Sequence, residues 1–132
     1  MTEKKCIVAV DDSGISLKML EKLLSEEHEF LGFSKGMRAL KYLKYSRTPD
    51  LIILDIDMPE IDGFEMLDMI RKKEELKEVP VFFLTSNNDK EHVVKAIRAG
   101  ANDYIVKPID EEVFMDKVRK LLKEEKYSWD NV

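Results

Sequence analysis

Five short apolar runs, Cys6–Val10, Phe30–Phe33, Leu51–Leu54, Val81–Leu84 and Tyr104–Val106, are separated by stretches with apolar residues at helical spacing. Most of the runs are continuous rather than alternating, the pattern of strands covered on both faces. The intervening stretches carry Ile15, Met19, Leu20, Leu23 and Leu24, then Ala39, Leu40 and Leu43, then Phe64, Leu67 and Ile70. Val93, Val94 and Ile97 mark a fourth helix, and Val113, Val118, Leu121 and Leu122 a fifth. Gly100 stands where a helix C-terminus prefers glycine. Asp110, Glu111 and Glu112 open the last helix with negative charge, and Lys117, Arg119 and Lys120 follow, as the helix dipole favours. Five consecutive strand–helix units predict an α/β domain built on one parallel sheet, with right-handed crossovers and helices on both faces.

The chain has 132 residues, enough for one domain and little more. Residues 1–126 are expected to form it, with 127–132 a tail or linker stub in which the periodicity is lost and Trp129 is a lone aromatic. A content of 44% hydrophobic residues is that of a chain that buries a core. The net charge of −5 argues against a nucleic-acid surface, which needs clustered Lys and Arg. No run approaches the roughly 18 apolar residues of a membrane helix, and the N-terminus is too poor in apolar residues for a signal peptide. One cysteine, Cys6, forms no internal disulfide and reads as a small core residue. These features predict a cytoplasmic protein. His28 and His92, each isolated in a charged stretch, are expected to face solvent, and packing accounts for the methionines.

In open α/β sheets, ligands sit beyond the carboxyl ends of the strands. The first run ends in Asp11 and Asp12, the third in Asp55 with Asp57 two residues on, the fourth in Thr85 and Ser86, and the fifth in Lys107 before Pro108. The second ends in Ser34 and carries nothing notable, as an edge strand would. Each residue alone has a plainer reading, as a helix cap, a turn former or a solvated charge. Four strands delivering acids, a hydroxyl and an ammonium to one rim are much harder to produce by chance. Two like charges about 4 Å apart repel by roughly 4 kcal/mol at an effective dielectric near 20. Three carboxylates against one lysine therefore either raise their pKa values or bind a cation. Without His or Cys nearby, the donor set suits a hard ion such as Mg²⁺, which shares its shell with phosphate oxygens. Asp55 is then a plausible nucleophile forming an aspartyl-phosphate, with Lys107 and Thr85 at the phosphoryl oxygens.

At these residues the sequence resembles the receiver domains of two-component response regulators, over residues 4–125. The stretch DIDMPEIDG matches the family's acceptor motif D-x-x-M-P-x-x-D-G. The resemblance implies a flavodoxin-like, doubly wound (βα)5 fold with strand order 2-1-3-4-5. It implies Asp55 as phospho-acceptor, Asp11, Asp12, Asp55 and the backbone carbonyl of Asp57 as Mg²⁺ ligands, and Lys107 and Thr85 as catalytic groups. Thr85 and Tyr104 match the switch pair, and Lys107–Pro108 the K-P whose peptide bond is typically cis. It further implies a histidine kinase or phosphotransfer protein as donor and a change in the face of the fourth helix, fifth strand and fifth helix. A downstream effector domain or protein would read that face, and a phosphorylation-dependent homodimer is allowed. No direct contact with nucleic acid or membrane is implied, and no catalysis beyond the domain's own phosphorylation and dephosphorylation. Residue 57 varies within the family. An acid there adds negative charge beside the attacking water's path, which predicts slower loss of the phosphoryl group than with Asn. Asn87, two past Thr85, lies where the family also tunes that rate.

The main alternative is an aspartate-nucleophile phosphohydrolase of the haloacid-dehalogenase type, which uses D-x-D, Thr/Ser, Lys and an acidic pair. Here the acidic pair comes first in the chain rather than last, Pro59 replaces the small or β-branched residue expected, and the length leaves no cap domain. A flavin carrier on the same fold would need a Ser/Thr/Gly-rich phosphate loop where this chain has DDSGI. No G-x-G-x-x-G or G-x-x-x-x-G-K-[ST] stretch is present.

Overall fold

The computed structural model describes residues 4–124. In chain order the elements are β1 (Cys6–Val10), α1 (Gly14–Leu24), β2 (Glu29–Phe33), α2 (Gly36–Tyr45), β3 (Leu51–Asp55) and α3 (Gly63–Arg71). A 3-10 turn (Glu74–Leu76) precedes β4 (Val81–Thr85), α4 (Lys90–Arg98), β5 (Asp103–Val106) and α5 (Glu111–Leu121). All strand pairs are parallel, and the sheet order is β2-β1-β3-β4-β5. The expected flavodoxin-like arrangement is therefore the observed one.

Because successive strand side chains point to opposite faces, each central strand feeds two cores. Val8, Val10, Ile52, Leu54 and Phe83 pack with Ala39, Leu40, Leu43, Met66, Leu67, Ile70 and Ala96 of α2, α3 and α4. Ile7, Ala9, Leu51, Ile53, Phe82 and Leu84 pack with Leu20 and Leu24 of α1 and Phe114 and Val118 of α5. This explains why β1, β3 and β4 are apolar without alternation, and every residue in them is buried. Strand β2, at the sheet edge, has no buried residue. Phe114 stacks on Phe82 with ring centroids 5.4 Å apart, a contact worth about 0.5–1.5 kcal/mol beyond its buried area.

Side-chain capping sets the helix starts. Ser13, Asp62, Asp89 and Asp110 each accept a backbone N–H of the first turn, and Asp62 with Glu65 forms a full capping box. Gly100 closes α4 with φ of 98°, the left-handed region for which glycine is suited.

Several expectations are corrected. Ile15 is 85% exposed, because nine steps of about 100° put it half a turn away from Leu24, which faces the sheet. Ile97 and Val113 are also exposed, while their neighbours Ala96 and Phe114 fill the core. His28 is buried, with Nδ1 3.1 Å from the Leu24 carbonyl oxygen and Nε2 3.0 Å from Glu124 Oε1. Its charged neighbours point outward while the ring folds under the end of α1. His92 is half-buried, with Nε2 enclosed and its ring edge-on to Phe64 at 5.5 Å. Met37 and Met69 are exposed rather than packed. The expected tail at 127–132, with Trp129, lies outside the described residues.

Candidate functional site

The parallel sheet brings the carboxyl ends of β1, β3, β4 and β5 to one rim. Asp11 follows β1 and is fully buried. Its Oδ1 accepts the Ser13 N–H at 2.9 Å, and its Oδ2 accepts from the Lys107 ammonium at 2.9 Å. Asp12 is exposed beside it. Asp55 ends β3, buried, with Oδ1 3.7 Å from Lys107 Nζ. Asp11, Asp12 and Asp55 each offer a carboxylate oxygen, all within 4.8 Å of one another.

These groups perturb each other as their spacing demands. The Asp55 carboxyl is pushed up to about 7, first by burial and then by the charge of Asp11 and the hydrogen bond and charge of Asp12, with Lys107 pulling the other way. Burial works against the Lys107 ammonium, yet the hydrogen bond and charge of Asp11, followed by Asp55 and Asp12, outweigh it and raise its pKa. An all-oxygen trio, one member of which resists ionising beside the others, is a donor set that fits a hard divalent cation.

The turn after β3 shapes the rim. Ile56 N–H donates to the Leu84 carbonyl at 2.9 Å, and Gly63 N–H returns to the Ile56 carbonyl at 2.9 Å. A Cβ on Gly63 would lie 2.8 Å from both the Asp55 carbonyl oxygen and Ile56 Cα. That contact is the physical reason for the glycine closing DIDMPEIDG: the start of α3 passes against the backbone of Asp55. Glu60 occupies the left-handed region, φ 69°, within the same turn. Asp57, in the same turn, is exposed.

Thr85 ends β4, buried, and its Oγ1 accepts the Asn87 N–H at 3.0 Å. Its hydroxyl is therefore engaged with its own loop and makes no hydrogen bond to Asp55. The Lys107 N–H donates to the Thr85 carbonyl at 2.7 Å, locking the ends of β4 and β5 in register. Lys107–Pro108 is cis, as the resemblance implied. Tyr104 is half-buried on β5, against the core that holds α2, α3 and α4. The rim thus gathers Asp11, Asp12, Asp55 and Lys107, with Thr85 at the end of the adjacent strand β4; neither its hydroxyl nor Tyr104 is hydrogen-bonded to the carboxylates.

Sequence reasoning missed a neighbouring pocket of about 420 Å³ lined by Ile56, Asp57, Met58, Asp62, Phe64, His92 and Lys95. Lys95 lies 4.3 Å from the Phe64 ring centroid in a cation–π contact. The only available signal was that His92 and Lys95 are three residues apart on one helix face.

Residues 7–119 match the family model described as the response regulator receiver domain. The chain is 35% identical over 104 residues to the two-component response regulator ORR3 of Oryza sativa, covering 78% of this chain and 79% of that protein. It is 30% identical over 118 residues to the chemotaxis protein CheY1 of Helicobacter pylori, covering 88% of this chain and 95% of that one. Its fold matches the BeF3-activated receiver domain of DrrB, from Thermotoga maritima, with a TM-score of 0.82 and 29% identity, over 92% of this chain and 100% of that one. The phosphohydrolase alternative finds no support in these matches. Among the described residues no helix is long and apolar enough to cross a membrane. A match across nearly the whole chain, on a sheet of order 2-1-3-4-5, places this protein in the receiver domain family of two-component response regulators.

Proposed function

We propose that Asp55 is the phospho-acceptor, and that Asp11, Asp12, Asp55 and the Asp57 backbone carbonyl hold Mg²⁺. The observation that carries this reading is the buried Asp55 carboxylate at the end of β3, crowded by Asp11 and Asp12 and faced by Lys107 at 3.7 Å. When bound, Mg²⁺ supplies positive charge that offsets the carboxylates and the oxygens of the transferring phosphoryl group.

The donor is a phosphohistidine on a kinase or phosphotransfer protein. An Asp55 carboxylate oxygen attacks phosphorus in line, the P–N bond breaks, and the departing imidazole nitrogen keeps the electron pair and takes a proton from solvent. Lys107 starts on Asp11, within one side-chain swing of the Asp55 oxygens, and pairs with a phosphoryl oxygen as the new anion forms. The Thr85 hydroxyl accepts the Asn87 N–H at 3.0 Å and donates to the Asn87 carbonyl only at a long 3.4 Å, so its proton can turn to a phosphoryl oxygen at the loss of one weak bond. Tyr104, half-buried on the next strand, moves into the space Thr85 leaves. The two shifts change the face of α4, β5 and α5, which an effector domain or partner protein reads. The domain acts on no other substrate, works in the cytoplasm and makes no nucleic-acid contact of its own.

Acetyl phosphate with Mg²⁺ should label the protein at one site, and Asp55→Ala should abolish the label. Retained labelling in that variant would overturn the assignment.

A further inference from the structure

A groove of about 680 Å³ lies between α2 and α3. Its apolar lining is Met37, Tyr45 and Met69, which are 57%, 72% and 41% exposed, above Leu40. These are three of the seven large apolar side chains exposed among the described residues. Along its sides stand Lys41, Lys44, Lys72 and Lys73, and no carboxylate lines it. Lys72 pairs with Asp68 at 3.0 Å on the open surface, a contact worth little. Lys44 sits 5.3 Å over the Tyr45 ring. Lys41, Lys44 and Lys73 have no carboxylate within ion-pair distance among the described residues. In a chain of net charge −5, this is a local positive excess around exposed apolar surface.

We propose that the α2–α3 groove is a docking site for an acidic amphipathic helix of a partner protein. Such a helix would lay apolar side chains on Met37, Met69 and Tyr45 and flank them with carboxylates that meet the lysines. A trough between two helices accepts a third by ridge-into-groove packing. Methionines suit this because their flexible thioethers adapt to the side chains they meet. The lysines supply charge complementarity and orientation. Nucleic acid would use the lysines but leave the methionines unmatched, and a bilayer would demand protruding rather than concave apolar surface. None of Asp11, Asp12, Asp55 and Lys107 lines the groove, though Met37 at its end also borders a pocket with Asp12, so the inference stands apart from the assignment of Asp55 through its lysines and Met69.

The test is fluorescence anisotropy with a labelled synthetic peptide of about 18 residues, roughly five helical turns, with leucines on one stripe and glutamates beside it. Controls are the same composition with scattered leucines and the same stripe with lysines replacing glutamates. The striped acidic peptide should bind, more weakly as salt rises, and both controls should bind at least about tenfold more weakly. Met37→Ser/Met69→Ser and, separately, Lys41→Glu/Lys73→Glu should each weaken binding by about tenfold or more, with labelling by acetyl phosphate unchanged in the lysine pair. The charge-reversal pair lies on the surface and keeps the test open should the methionine pair disturb folding. Equal binding of the scattered or basic control, full binding by the charge-reversal pair, or no binding of the acidic peptide would overturn the proposal. So would phosphatidylserine vesicles binding through the same residues without competition from the peptide.

Discussion

The Lys107 ammonium is bonded to Asp11, at 2.9 Å, and only faces Asp55, at 3.7 Å. The lysine therefore neutralises the acid that does not react and stays one short movement from the acid that does. Two roles follow, and they separate experimentally.

Lys107→Met removes the ammonium while keeping its bulk. The phosphorylation rate with acetyl phosphate should fall by about 10²-fold, the usual cost of losing one donor to developing charge. Magnesium affinity should rise, because the carboxylates lose their internal counter-ion. Rapid-quench labelling and a magnesium titration would check both, and a parallel fall in the two would contradict the split.

The Asp55 carboxyl, raised from 3.8 to about 7, makes the metal-free protein sensitive to pH. The folded state holds this proton more tightly than the unfolded chain. Its contribution to stability is full below pH near 4 and is lost as pH rises through about 7. Asp55→Asn, which cannot ionise, should stabilise the chelator-treated protein by about 1–3 kcal/mol at pH 8 and hardly at all at pH 4, where the folded and unfolded carboxyls begin to differ. Denaturant melts at the two pH values measure the difference.

Gly63→Ala places a methyl group 2.8 Å from the Asp55 carbonyl oxygen and from Ile56 Cα. Both are backbone atoms that cannot turn aside, so the variant should lose about 1–3 kcal/mol of stability. It should also label more slowly than the wild type, because the displaced turn carries the acceptor. Normal stability with normal labelling would mean that the turn has slack.

Asp57 stands exposed in the same turn. Its charge beside the path of an attacking water should lengthen the life of the phosphorylated state relative to Asp57→Asn. Following the decay of labelled protein after donor removal measures this, and a shorter half-life in the wild type would count against it.

The fold was legible because β1, β3 and β4 serve two cores, which leaves runs with no polar interruption. The rim was legible because each of Asp11, Asp55, Thr85 and Lys107 ends or follows a strand and is thus placed by the sheet. Helix faces were less legible. Where apolar residues ring a short helix, as Ile15 does opposite Leu24, spacing alone does not choose the buried stripe. His28 was misread because its partners, the Leu24 carbonyl and Glu124, include one that is 96 residues away along the chain. The α2–α3 groove was invisible for the same reason, since Met37 and Met69 become neighbours only when two helices pack side by side.

The proposed chemistry requires the carboxylate trio to take up a cation and then a phosphoryl group. Its most direct test is thermal melting of the protein with magnesium alone and then with magnesium and beryllofluoride, beside Asp55→Ala. Magnesium should raise the melting temperature, beryllofluoride should raise it further, and the variant should lose the second step. A melting temperature indifferent to both additions, or an equal response in Asp55→Ala, would contradict it.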